Sequence, residues 1–274
     1  MRELLVLLIG KVFSQLRTNQ YEKLQHLESN LRWVLKYNEF AHIDGEEANL
    51  VFPLFEQRYH FYLRTLGSDV MVFNQIIGAR EYDFVFDCYE QYFKRPPQTL
   101  IDAGSNIGLV SVYFTASYPD IKIVAVEPDA ENCKVARKHI AANNLANVEL
   151  LESALWPIHT RLSIVRDFRD QLNWSIRVEE DQTGSLLGIT PAELIGHFHP
   201  AVDIMKIDIE GGEAKLFADN ADICWLDQIK LLALEIHDEC VNRDNLIAKL
   251  QAKGFIIQTQ GELTVGVNGN RIEN

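Results

Sequence analysis

The sequence is poor in positive charge, poor in cysteine and without a long apolar run. Its 274 residues carry 26 Lys and Arg against 39 Asp and Glu, a formal charge of -13. Nucleic-acid affinity leans on Lys and Arg neutralising phosphates, so this balance argues against a nonspecific polyanion partner and leaves only a local basic patch open. The four cysteines, Cys88, Cys133, Cys224 and Cys240, are scattered and form no C-x-x-C pair. Neither a zinc ribbon nor a disulfide framework follows, and the thiols read as reduced groups of a cytoplasmic protein. The apolar run Leu4-Leu5-Val6-Leu7-Leu8-Ile9 is far shorter than a membrane span. Lys11-Val12-Phe13 continues it where a leader would show a small-residue cleavage site. No internal repeat or low-complexity run is visible.

What is there begins with 47% hydrophobic residues, enough for one large core or one domain with an extension. Residues 1 to about 40 have helical spacing, with Leu24, Leu27, Leu31, Val34 and Leu35 on one face. Residues 1–16 are expected to pack on the body or on a second copy of the chain, as in a homodimer. The alternative is a weak interfacial contact with a membrane. His42 to Glu46 reads as a turn. Leu50–Leu54 and Tyr59–Leu63 are aromatic-rich and strand-like, a candidate hairpin. Helical segments follow at 70–77, with Ser68 or Asp69 as N-cap, and at Phe84–Phe93. Residues 1–95 therefore read as an extension, mainly helical with a hairpin, and 96–274 as the principal domain.

From Thr99 onward strands and helices alternate, which predicts a parallel sheet covered on both faces. Strands are expected at 99–103, 121–126, 148–152, 203–210 and 230–236. The segments 255–259 and 263–267 are joined by Gln260-Gly261-Glu262. They form a closing hairpin, so the last strand is antiparallel. The fold class is α/β, Rossmann-like, with a mostly parallel seven-stranded sheet.

The first strand runs into Asp102-Ala103-Gly104-Ser105-Asn106-Ile107-Gly108 and then into an apolar helix. A glycine turn opening a helix is a site for a polar or anionic group. Dinucleotide-binding folds place a glycine where Asp102 stands. An acidic residue there repels a pyrophosphate and suits an amine or zwitterion. About 20 residues on, Glu127-Pro128 ends the second strand, where a carboxylate accepts hydrogen bonds from ribose hydroxyls. A nucleoside and an amino acid side by side describe S-adenosylmethionine.

A second constellation lies on the fourth and fifth strands. Alternation places Lys206, Asp208 and Glu210 on one face, and Glu235 with His237 on one face of the next strand. Neighbouring strands would gather these five at the carboxyl end of the sheet, where open α/β sheets bind ligands. Buried charge demands a partner, so Lys206 should meet a carboxylate. For methyl transfer to a hydroxyl, His237 is the candidate general base, with Asp208 or Glu210 as the alternative. A divalent metal on Asp208, Glu210 and Glu235 is conceivable, but the spacing is not specific for one, and no metal is assigned. The polar stretch 160–185, with Arg166, Asp167, Arg169, Trp174 and Ser175, is a candidate substrate loop.

Several of these segments together resemble the FkbM-type methyltransferases. They are Ile101-Asp102-Ala103-Gly104-Ser105-Asn106-Ile107-Gly108, Val126-Glu127-Pro128, Lys206-Ile207-Asp208-Ile209-Glu210-Gly211-Gly212-Glu213 and Leu234-Glu235-Ile236-His237. Upstream, Leu63-Arg64, Ser68-Asp69 and Glu81-Tyr82 resemble that family's lead-in. The resemblance implies a class I fold and O-methylation of hydroxyls on saccharides, glycolipids or secondary metabolites, with S-adenosylmethionine as cofactor. By that likeness Asp102, Gly104, Ser105, Asn106 and Gly108 lie along the methionine part, and Glu127 with Pro128 at the ribose. Ser153 and Ala154 would lie near the adenine and Asp208 near the reacting methyl. The partner is then a small-molecule or glycan acceptor, with no nucleic acid and no transmembrane segment. Two other readings stand beside it: a S-adenosylmethionine-binding scaffold without catalysis, and an NAD-dependent oxidoreductase. No Asn/Asp-Pro-Pro-Tyr motif follows the fourth strand, which disfavours a nucleic-acid methyltransferase.

Overall fold

The computed structural model describes residues 42–44, 46–166, 176–198 and 201–272, together with Ser29. The helical expectation for residues 1–40 and the contacts expected of residues 1–16 lie outside them.

The described chain opens with three antiparallel strands, β1 (His42–Asp44), β2 (Glu47–Leu54) and β3 (Gln57–Arg64). The expected hairpin is present and longer than the aromatic runs suggest. The segment His42–Asp44, read as part of a turn, is itself a strand paired with β2. Helix α1 (Asp69–Phe73) follows and widens into a π-turn over Asn74–Gly78. Helix α2 (Asp83–Phe93) ends at Lys94, which adopts a left-handed backbone.

The principal sheet then forms from β4 (Thr99–Ala103), β5 (Lys122–Glu127), β6 (Val148–Glu152), β11 (Val202–Ile207), β12 (Ile229–Glu235), β13 (Phe255–Gln260) and β14 (Leu263–Asn268). Its seven strands run in the order β13-β14-β12-β11-β4-β5-β6. β14 is antiparallel to both of its neighbours, and the remaining pairings are parallel. Helices α3 (Leu109–Ser117) and α4 (Ala130–Ala142) make the crossovers after β4 and β5.

Between β6 and β11 lies a small second sheet of β7 (Ala154–Leu155), β8 (Arg161–Val165), β9 (Arg177–Glu180) and β10 (Leu186–Ile189), ordered β7-β10-β8-β9. The stretch 160–185, expected to be irregular, thus contains two paired strands. Its polar residues disguise them, because the sheet is narrow and the side chains of β9 are half-buried or exposed. Residues 167–175, with Arg169, Trp174 and Ser175, lie outside the described chain.

The central strands are apolar throughout because each face has its own core. Leu100, Ile123, Ile204 and Leu231 face one cluster, and Ile101, Val124, Met205 and Leu232 face the other. The first cluster also takes in Phe61, Phe73, Val85 and Tyr89 from the preceding extension. Helix α3 is nearly buried all round, being held between the sheet and this extension.

One buried histidine fastens the hairpin to the domain. His139 on α4 accepts a hydrogen bond from the Tyr62 backbone N–H at Nε2 (2.8 Å), and its Nδ1 lies 2.7 Å from the Ile107 carbonyl oxygen. Both contacts are met by a neutral ring with its proton on Nδ1. Burial holds its pKa below the ordinary value. The folded state therefore resists protonating a group that the unfolded chain protonates near pH 6.5. His139 stability is present above that pH and is lost as the pH falls below it. In urea titrations from pH 7.5 to 5, His139→Gln should be less stable than wild type at neutral pH. The gap between the two should narrow on acidification.

Candidate active site

Order along the sheet reverses between β4 and β11, and the crevice at this switch point is where such folds take ligands. A cavity of about 320 Å³ opens there. It is lined by the turn Gly104–Asn106, by Val126–Pro128 at the end of β5, by Lys206 of β11 with Asp208, Ile209 and Glu210 just beyond it, and by Glu235 at the end of β12. Val72, Gln75, Ile76, Glu81 and Tyr82 close one side, Ile176 and Val178 another, and Glu262 stands at the hairpin tip.

The turn after β4 is shaped by its neighbours. Gly104 has φ +77°, and an added Cβ would lie 1.7 Å from the Asp208 carbonyl oxygen, so the backbones just after β4 and β11 approach too closely for a side chain at 104. A Cβ at Gly108 would meet that of Ala136 at 3.2 Å. The close neighbour of Gly108 is therefore helix α4. Three residues separate the two glycines, against two between the second and third glycines of dinucleotide-binding turns. Asp102 is wholly buried and accepts from the Ser111 hydroxyl at 2.8 Å.

On the β5 side Glu127 is 4% exposed. It accepts from the Asn106 backbone N–H at 2.8 Å, the Asp129 N–H at 3.0 Å and the Asn132 side chain at 3.1 Å. Burial nevertheless raises its pKa to about 7. Asp129 caps α4 and pairs with Arg166, the residue after β8. Ala154 lines the cavity. The Ser153 hydroxyl is committed to the Leu187 carbonyl at 2.6 Å.

The charged groups do converge, but strand alternation does not place all of them: β11 ends at Ile207 and β12 at Glu235, so Asp208, Glu210 and His237 stand in the turns beyond the strands. Lys206 Nζ donates to the Gly104 carbonyl at 2.5 Å and lies 3.4 Å from Asp208 and 3.6 Å from Asp102. Burial by itself would lower its pKa, but Asp208 and Asp102 outweigh that and hold it above the ordinary value. It is a charged ammonium joining two strands.

His237 lies at the base of the acidic group, 1% exposed. Its Nδ1 is 3.3 Å from Glu213, and its Nε2 is 3.4 Å from Glu210, 3.8 Å from Glu235 and 3.9 Å from Asp208. Burial opposes its charge, yet the surrounding carboxylates, Glu213 foremost, raise its pKa. These carboxylates favour the charged, imidazolium form of the ring. Burial and the neighbouring Asp208 push Glu235 up to about 8. Asp208, Glu235 and His237 each place a ligand atom within 4.8 Å of the others, so a neutral His237 could join them around a divalent cation. Protonated, the imidazolium itself supplies positive charge there.

Glu213 was the participant missed by sequence reasoning. It is fully buried, accepts from the Ile209 and Gly211 N–H groups at 3.0 and 2.9 Å, and opens the short helix α5 (Glu213–Leu216). Its place at the end of the Lys206–Glu213 motif was the available signal.

Strand order and the cavity at its switch point define a class I methyltransferase fold. Residues 102–257 match the Methyltransferase FkbM domain, and the chain belongs to that family. Methyltransferase 1 of Beauveria bassiana (strain ARSEF 2860) is 22% identical over 201 residues, 65% of this chain and 80% of that protein. Methyltransferase sdnD of Sordaria araneosa is 23% identical over 207 residues, 64% and 80% respectively. The crystal structure of precorrin-6y C5,15-methyltransferase from Geobacter metallireducens GS-15 aligns at 14% identity with a TM-score of 0.39, covering 63% of this chain and 82% of that one. The fold assignment rests on the sheet order and not on that alignment. The protein is a methyltransferase.

Removing the imidazole should cost stability as well as activity. His237→Ala deprives Glu213 of its buried counter-charge, and breaking such a pair costs about 3 kcal/mol. A chemical-denaturation midpoint clearly below that of wild type is expected. An unchanged midpoint would mean that the ring bears no structural charge.

Proposed function

We propose that the protein transfers a methyl group from S-adenosylmethionine to a hydroxyl of a saccharide, glycolipid or secondary metabolite. The observation that carries this reading is the switch-point cavity, with Glu127 on one side of the Gly104 turn and the Asp208–Glu235 pair on the other. The residues fit the cofactor. Ser105 is 3% exposed, lines the cavity, and has no hydrogen-bond partner for its hydroxyl among the described residues. It is a buried polar group awaiting a polar ligand.

In this reading Glu127 receives the ribose diol, and its three existing hydrogen bonds fix the carboxylate in place. Ser105 and Asn106 meet the amino-acid end, with Gly104 and Gly108 shaping the turn behind them and Asp102 acting through Lys206. Pro128 and Ala154 flank the base. When bound, the cofactor supplies an electrophilic methyl on a sulfonium. Glu235, with its raised pKa, is a stronger base than an ordinary carboxylate and takes the hydroxyl proton. Asp208 and Glu210 orient the acceptor. His237, first expected to be the base, holds these carboxylates as an imidazolium behind the cavity wall.

Calorimetric titration with S-adenosylmethionine, S-adenosylhomocysteine and NAD tests the cofactor. The first two should bind and NAD should not, and Glu127→Ala should abolish binding. Affinity should weaken as pH drops below about 7, where Glu127 protonates and ceases to accept from two hydroxyls. A folded protein that binds neither adenosyl compound would overturn the reading.

Glu235→Gln should lower turnover, followed as S-adenosylhomocysteine release with an accepted substrate, by about a hundredfold or more. The wild-type rate should decline as pH falls through about 8, since a base works only when deprotonated. A Glu235→Gln variant with the wild-type rate would remove Glu235 from the chemistry.

A further inference from the structure

The cavity is acidic to a degree that its cofactor cradle does not require. Six carboxylates line it, those of Glu81, Glu127, Asp208, Glu210, Glu235 and Glu262, against the one ammonium of Lys206. Glu127 belongs to the ribose side. Glu81 and Glu262 come from outside the segment that matches the family domain, one before residue 102 and one after residue 257. Glu81 follows the π-turn, is largely withdrawn from water, and is held by a hydrogen bond from the Gln75 side chain. It interacts electrostatically with Asp208, Lys206 and Glu262, and Glu262 with Glu235. The buried, partnerless hydroxyl of Ser105 in the same cavity marks a place where a polar ligand completes the structure.

We propose that Glu81 and Glu262, together with Asp208, form a ring that recognises the sulfonium charge and makes the site prefer S-adenosylmethionine to the neutral thioether left after transfer. This rests on the cofactor reading above. With Glu127 holding the ribose and the Gly104 turn holding the amino-acid end, the residues at the end of β11 would be those nearest the sulfonium. Ammonium and carboxylate are common to substrate and product, so the ring acts on the one charge by which they differ. Charges near a protein surface interact strongly at about 4 Å and are weakened by salt when exposed to it. The consequence for turnover is product release: the ring loses its attraction for the nucleoside at the moment of methyl transfer.

Full-length wild type and the Glu81→Gln/Glu262→Gln double variant are titrated calorimetrically with three probes at low and at physiological salt. The probes are S-adenosylmethionine, S-adenosylhomocysteine and sinefungin, which carries an amine where the sulfonium would be. Wild type should bind the first and third about tenfold more tightly than S-adenosylhomocysteine at low salt, with a smaller gap at higher salt. In the double variant the three affinities should converge to within about twofold, mainly through weaker binding of the two cations. Equal or tighter binding of S-adenosylhomocysteine by wild type overturns the proposal. So does an unchanged ratio in a double variant whose melting curve shows it folded. Binding of all three probes without discrimination sinks this proposal and leaves the cofactor reading standing, whereas binding of none sinks both.

Discussion

A buried ammonium organises the centre of this molecule. Lys206 sits where β4 and β11 part company, reaching the Gly104 carbonyl, Asp102 and Asp208 from one nitrogen. Burying that charge is costly, and the cost is offset only because two carboxylates and a carbonyl converge on it. The convergence sets the turn after β4 against the end of β11. There the backbones approach so closely that residue 104 has no room for a side chain. The cavity, the position of Asp208 and the orientation of the glycine turn all follow from this contact.

A second charge balance stands behind the first. His237 and Glu213 are both buried, and the imidazolium serves four carboxylates through its two nitrogens. Glu213 also collects two backbone N–H groups from the sharp turn at Ile209–Gly211. Glu210 has a left-handed backbone in that turn, with φ +51°. The turn that aims Asp208 and Glu210 at the cavity is thus stabilised from beneath by an ion pair.

Much of this was legible in the sequence. The principal strands announce themselves as apolar runs because both faces are covered. The charges on β11 and beyond stand out because such runs exclude them. That Lys206 would need a carboxylate follows from burial alone. What stayed hidden depended on depth and on neighbours across the chain. His237 looks like a base by residue type, and the four surrounding carboxylates that favour its charged form are visible only in the fold. Glu213 reads as an ordinary acidic residue opening a helix, since nothing local shows it fully buried. The strands β8 and β9 escape notice because their sheet is half-exposed and its apolar cluster, around Leu162 with Val178 and Leu186, is small and assembled from separate segments. Glu81 and Gln75 reach the cavity through a π-turn, a local widening of the helix that spacing does not signal.

Hydrogen bonds link the hairpin to the nucleoside side of the cavity. Arg64 at the end of β3 grips Asp69 and, at 2.7 Å, the Asn132 side chain, whose amide in turn donates to Glu127. Asn143 and His139 clasp the same hairpin from the other end of α4. The core cluster likewise mixes residues from before and after position 99. The segment ahead of the recognisable family domain is therefore part of the same cooperative unit. Cutting the chain near residue 95 would strip apolar cover from α3 and leave Asn132 without its guanidinium. The portion most easily recognised by relationship is smaller than the portion that shares one core.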